Sequence, residues 1–298
     1  MKPLIKFLVV FSLLIPAPLM AWGEKGHYAV NEAATYGTPT SMPAFFLEAF
    51  PRLVYLAYDP DRWRSGGDSI ESVNPPNHFL DYEFVSSLSL PRKRYEYIAL
   101  LYSSGTLRQH SLKVDGPGFL PWKIAETADL LELQWRMWRR SQPGTVEREQ
   151  IEQNIINAAG LLGHYVGDAA NPDHATVNYN GWTSPNPNGY PIDCDAHWRF
   201  ETQFVSRDIE ASSVFPLLRP AQLRGDYFAT ALEEIRESNG LVEFLYRLDR
   251  DGAFQPHSRT EPAGRQFALE RLAAGASYLR DLWWSAYVRS GEKQVRED

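Results

Sequence analysis

The stretch "GLLGHYVGDAANPDHA" places His164 and Asp168 four residues apart within a run of helical periodicity. On a helix, that spacing lays both side chains on one face with Cβ atoms about 6 Å apart. Such a reach suits shared coordination of one or two zinc ions. His174 follows just past Pro172, where the helix must stop. "DAHWRFE" repeats the four-residue spacing with His197 and Glu201, "NHFLDYE" offers His78 and Asp81, and "WGEKGH" offers His27. Each fragment alone reads equally well as a surface pair, a cap or a satisfied core histidine. Together they take up five of the seven histidines, while His110 and His257 lie in loops without carboxylate company. Nitrogen and oxygen ligands with no thiolate among them point to a catalytic rather than a structural zinc site.

Helices must position these groups. "VEREQIEQNIINAAGLLGHYVGDAA" has an acidic first turn and an apolar stripe through Ile151, Ile155, Ile156 and Leu162. "WKIAETADLLELQWRMWRRS" carries basic residues in its last turn, where they suit the helix dipole. "PTSMPAFFLEAFPRLVYLAY" reads as one or two short helices ending before Asp59-Pro60. "DYFATALEEIRESNGLVEFLYRLD" and "RQFALERLAAGASYLRDLWWSAYVR" complete the helical set. Turn-rich segments separate them at residues 59–77, 104–121, 171–193 and 251–263. Loops longer than about 15 residues are uncommon in a compact domain and are often functional. Strand alternation of any length is absent. The fold class is therefore all-α: a single multi-helix domain with a metal cleft between helix ends and long loops.

Composition sets the remaining bounds. The chain has 298 residues, 44% of them hydrophobic and 22% charged, with a net charge of −7. A sizeable core is affordable, and a disordered tail or a basic nucleic-acid binder is excluded. Cys194 is the only cysteine, so no intramolecular disulfide forms, and it reads as a passive loop residue. Residues 1–21 read as a signal peptide: Lys2 and Lys6, the apolar run "FLVVFSLLI", then "PAPLMA" before the cut. That run is too short to span about 30 Å of hydrocarbon as an anchor. Cleavage after Ala21 leaves residues 22–298 as one periplasmic or secreted domain, with no transmembrane anchor and a monomeric state expected.

In order along the chain, W-G-x-x-G-H, H-F-x-D, G-H-Y-x-G-D-x-x-x-P-x-H and H-x-x-x-E resemble the zinc-dependent phospholipase C and single-strand-specific nuclease superfamily. The resemblance covers nearly all of residues 22–298 and implies an all-helical enzyme with three zinc ions in a cleft. It assigns Asp61, His78, His164 and Asp168 to one ion, and His174, His197 and Glu201 to a second. The third takes His27, Asp168, and the α-amine and carbonyl of Trp22, so that Asp168 bridges two ions. "YDPDRWR" offers both Asp59 and Asp61. Asp61 is preferred because Ala57 and Arg64 complete the spacing of the nuclease pattern.

The resemblance further implies phosphodiester hydrolysis by water activated on zinc, with Asp61, Arg64 and Glu201 in the catalytic machinery. Arg64 would pair with charge developing on phosphorus, or else is a solvated surface residue. Substrate is expected to be phospholipid or single-stranded nucleic acid. "WGEKGH" and the Asp61/Arg64 pair look like the nucleases. Glu201, and "NYNGW" at 178–182, look like the phospholipases. Phe79, Tyr82, Tyr179, Trp182 and Tyr190 are candidate cleft aromatics, with Phe79, Asp81 and Tyr179 the substrate contacts chosen. These rings could stack on a base or cage a quaternary ammonium. A phospholipase C is the leading reading and a nuclease of the same fold its rival. Other classes remain: a non-catalytic zinc-stabilised exported protein, or a helical binding module without metal.

Overall fold

The computed structural model describes residues 22–292, so the expected signal peptide at 1–21 lies outside the described residues. The longer helices are α1 (Glu24–Tyr36), α2 (Phe50–Leu56), α3 (Arg94–Ser103), α4 (Leu120–Arg140), α5 (Val146–Ala170), α6 (Tyr227–Asn239), α7 (Val242–Arg250) and α8 (Glu261–Arg289). Shorter helical turns join them. Among the described residues there is no β-strand, only an isolated antiparallel bridge between Leu80 and Gly118. No described helix is long and apolar enough to cross a membrane.

Helix α5 is the axis of the molecule, and α1, α2, α4, α6 and α8 all pack on it. Its first half is amphipathic, while from Ala158 to Ala170 nearly every residue is buried. A helix buried on all sides lets its polar side chains face only other protein groups or a ligand. Thr145 caps its start, accepting from the Arg148 N–H at 3.3 Å, and Asn171 ends it ahead of Pro172.

The approach to α5 depends on small residues. A Cβ on Gly163 would collide with the Asn31 carboxamide of α1, and one on Gly160 would strike Leu56 of α2. Asn31 uses that closeness, donating to Leu53 O at 2.7 Å and to Gly160 O at 3.1 Å. Three more buried donors reach α5 carbonyls. Trp283 Nε1 bonds Ala159 O at 3.0 Å, Ser238 Oγ bonds Ala169 O at 2.6 Å, and Trp22 Nε1 bonds Gly167 O at 2.7 Å. One apolar cluster runs from Trp22 to Ala286 around this axis.

The sequence missed some local structure. The turn-rich segment 59–77 winds into single helical turns at Asp59–Arg62, Trp63–Ser65, Asp68–Glu71 and Pro75–Asn77. Helix α3 gave no usable stripe, because Tyr95 and Tyr102 face solvent while Tyr97 and Leu101 are buried. The segment after His197 is a π-helical turn, Trp198–Phe204, rather than an α-helix.

Candidate metal centre

Each ligand candidate is delivered by a different constraint. His27 sits on α1, held against α5 where Gly167 leaves room for its ring. Asp61 lies in the Asp59–Arg62 turn, which Pro60 starts. His78 caps the Pro75–Asn77 turn, and His164 and Asp168 come from the buried half of α5. His174 sits in the Pro172–Ala175 turn, while His197 is the N-cap of the π-helical turn and Glu201 lies within it. Wide turns of this kind recur at functional sites.

These side chains converge on Asp168. Its Oδ2 lies 3.2 Å from His78 Nδ1 and 3.4 Å from His164 Nε2; its Oδ1 lies 3.6 Å from His27 Nε2 and 3.7 Å from His174 Nδ1. Three buried groups have ligand atoms within 4.8 Å of one another: His27/Asp61/His164, His78/His164/Asp168 and His174/His197/Glu201. His27 stacks on His164 with centroids 3.9 Å apart. His197 Nε2 stands 2.5 Å from Glu201 Oε2, and Asn171 donates to Glu201 Oε1. Asp59, the alternative ligand, instead pairs with Arg62 at 2.6 Å. Asp61 Oδ1 faces Arg64 Nη2 at 2.8 Å and both His78 and His164 at 3.9 Å.

The donor chemistry fits metal ions. His164 Nδ1 bonds Ala57 O at 2.7 Å and His174 Nδ1 bonds His78 O at 2.6 Å, which leaves His164 Nε2 facing Asp168 and His174 Nε2 facing Glu201 at 3.3 Å. A ligating histidine uses its outer nitrogen in this way. Both nitrogens of His27, both oxygens of Asp168 and His174 Nε2 are buried without a hydrogen-bond partner among the described residues. Polar groups left so are costly unless a cation or water completes them.

Electrostatics report the same strain. Burial, then the neighbouring histidines, holds His27 and His78 well below the usual imidazole range; burial does the same to His164. Burial pushes Asp61 up to about 6 against the pull of Arg64, and raises Asp168 well above the carboxylate range. Burial works against the charge on His174, but Asp168 and Glu201 outweigh it and lift that histidine to about 10. Zinc in this position would replace the missing positive charge.

The cluster opens on a cavity of about 550 Å³. His78, His174, His197 and Arg64 form its metal-side wall; Phe79, Asp81 and Tyr179, the three substrate candidates, line it with Glu71 and Asp173. Burial pushes the Asp81 carboxyl up to about 8, with Glu83 adding to the effect.

No family model matches the chain, and no curated protein matches it. Among solved structures it overlays the alpha toxin from Clostridium absonum at 14% identity and a TM-score of 0.39, covering 91% of this chain and 67% of the toxin chain. An overlay at that score says nothing of chemistry, which rests on the side chains themselves.

Three aromatic candidates lie elsewhere. Trp182 and Tyr190 pack with Tyr246 in a separate small apolar cluster, with Trp182 centroids 4.7 and 5.2 Å from the other two rings. Tyr82 OH accepts from Arg236 Nε at 2.9 Å. Each ring satisfies itself in packing, so none joins the cavity wall. Asp173 is the residue that sequence reasoning passed over. It is 2% exposed, both its oxygens lack hydrogen-bond partners among the described residues, and burial followed by Glu201 raises its carboxyl well above the usual range. Its only signal was an acidic residue directly before His174.

Proposed function

We propose that the protein is an exported zinc-dependent phosphodiester hydrolase of the phospholipase C type, its active domain being residues 22–298. The observation that carries the reading is Asp168, a buried carboxylate among four histidines, two of which, His78 and His174, line the cavity. Three ligand groups, the first two sharing His164, support a reading with three zinc ions held as the resemblance implies, Trp22 contributing its new α-amine after signal cleavage. The Trp22 indole, bonded to Gly167 O, fixes residue 22 against the turn of α5 that carries Asp168.

Clustered zinc ions supply a water nucleophile active near neutral pH and neutralise the phosphate oxygens. The chain's own residues do the rest. Asp61, buried beside the cluster, accepts a proton from the attacking water or orients it. Arg64, on the cavity wall 2.8 Å from Asp61, pairs with charge on the phosphate. Glu201, held ionised by His197 and His174 despite its burial, fixes the second ion.

The wall favours lipid over nucleic acid. Glu71, Asp81 and Asp173 face the cavity with Phe79 and Tyr179 beside them. Glu71 is the exposed carboxylate of this wall, and a further phosphate held about 4 Å from an ionised carboxylate costs up to ~4 kcal/mol at an effective dielectric of 20. A cationic headgroup gains a similar sum, and the two rings offer it their faces. The zinc-loaded mature protein is therefore expected to release phosphocholine from phosphatidylcholine and to leave denatured DNA intact. DNA digestion without lipid hydrolysis would replace this reading with the nuclease. Failure on both, and on bis-nitrophenyl phosphate, would leave only a zinc-stabilised protein.

A further inference from the structure

A second cavity, of about 390 Å³, lies between α4 and α5 and shares no wall residue with the first. Lys123 and Gln134 reach it from α4, and Asn154, Asn157 and Tyr165 from α5. Trp63 joins them from the turn that also carries Arg64, so the metal centre and this groove stand on opposite sides of one short segment.

Several features mark it as built for a ligand. Its wall holds a cation, three amides and a phenol but no carboxylate, in a chain whose net charge is −7. The Lys123 ammonium, partly buried, lies 5.1 Å from the Tyr165 ring centroid and forms no ion pair among the described residues. Burial pulls it below the ordinary lysine range, and Glu126 on the same helix only partly restores it. Tyr165 is 1% exposed, and among the described residues neither its hydroxyl nor the buried Gln134 Oε1 has a hydrogen-bond partner. A partly desolvated ammonium beside unsatisfied polar atoms is stabilised by an anion that brings its own donors and acceptors.

We propose that this groove binds a small organic oxyanion carrying hydroxyl groups, with its charged head on Lys123 and its hydroxyls on the Gln134, Asn154 and Asn157 amides. A sugar phosphate and an acidic sugar share that chemistry. Trp63 supplies an aromatic face of the kind that covers a sugar ring.

Calorimetric titration of the zinc-loaded mature protein separates the sources. Glucose 6-phosphate, gluconate, glucose and inorganic phosphate are the probes. Glucose 6-phosphate or gluconate is expected to bind with a Kd on the order of 0.1–1 mM. Glucose and inorganic phosphate should each bind at least tenfold more weakly. Binding of gluconate alone would keep the site and assign it a carboxylate head. Lys123→Met should weaken binding at least tenfold while hydrolysis of bis-nitrophenyl phosphate stays unchanged, which separates this site from the metal-centre reading. If Lys123→Met fails to fold, Asn157→Leu at the exposed rim serves instead, with the same loss expected. Equal binding by glucose, no binding by any probe, or binding that survives these variants and disappears on chelation would each overturn the proposal.

Discussion

His164 Nε2 and Asp168 Oδ2 stand 3.4 Å apart, one turn apart on α5, with neither side chain exposed to water. Among the described residues nothing beyond other ligand candidates completes Asp168, whose oxygens meet histidine nitrogens on both sides. A carboxylate buried so deeply is stable only when paired. Asp168→Asn is expected to reduce bound zinc from three ions to about one, the one held by His174, His197 and Glu201. Turnover should fall roughly 10³-fold, the scale of losing a charge-stabilising group. Full zinc content in this variant, by elemental analysis, would show that Asp168 bridges nothing.

Zinc binding should release protons. Asp168 and Glu201 lift His174 to about 10 despite its burial, and burial raises Asp168, so this buried group of charges carries protons near pH 7. Metal displaces those protons, and apparent affinity therefore rises with pH, by up to about tenfold per unit for each proton released. Zinc titrations at pH 6, 7 and 8 check the sign. Affinity that is flat or falls across that range contradicts the assignment.

Removing the metal should soften the fold. Ligand binding at about 1,000 times Kd adds roughly 4 kcal/mol, and about 1 kcal/mol shifts Tm by roughly 2 °C or more in a chain of this size. Chelation is thus expected to lower Tm by about 8 °C or more, reversibly on adding zinc back. An unchanged Tm would mean the centre holds no tightly bound ion.

The closeness of α1 to α5 can be tested separately. Gly163→Ala drives a methyl into the Asn31 carboxamide and forces α1, with His27, away from the centre. Overpacking of this kind costs about 1–3 kcal/mol. Urea unfolding should show the loss, along with weaker zinc binding.

The headgroup wall makes its own prediction. Asp81→Asn keeps shape and removes a carboxyl that burial holds up to about 8, so that its charge faces the cavity only above that pH. Above pH 8, KM for phosphatidylcholine should rise about tenfold, equivalent to ~1.4 kcal/mol, and at pH 6 it should hardly change. A phosphodiester with an uncharged headgroup should be affected far less. Equal effects on both would mean that Asp81 only shapes the wall.

The cluster was legible in the sequence because its members obey local rules. His164 and Asp168 need only a helix to meet, and Pro172 dictates where His174 turns off it. His197 and Glu201 were read at α-helical spacing, and a π-helical turn still brings them together, since four residues fall just short of its wider turn. What stayed hidden depends on distant packing. Asp173 is buried by residues far along the chain, with Tyr246 and Phe254 beside the small cavity it also lines. Trp182 and Tyr190 look the same in sequence whether they pack on Tyr246 or face a substrate. Helix α3 has no apolar stripe to read, and the segment 59–77 is broken by Pro60, Gly66, Gly67 and Pro75 into turns too short to show periodicity.

The most direct test is zinc content by elemental analysis of the mature chain beginning at Trp22, beside a form retaining one residue before it. The expected result is three zinc ions per chain in the first and about two in the second, with folding preserved in both and hydrolysis lost with the third ion. Fewer than two ions in the Trp22 form under zinc-replete conditions would contradict the trinuclear centre. Equal content and turnover in the two forms would remove Trp22 from it.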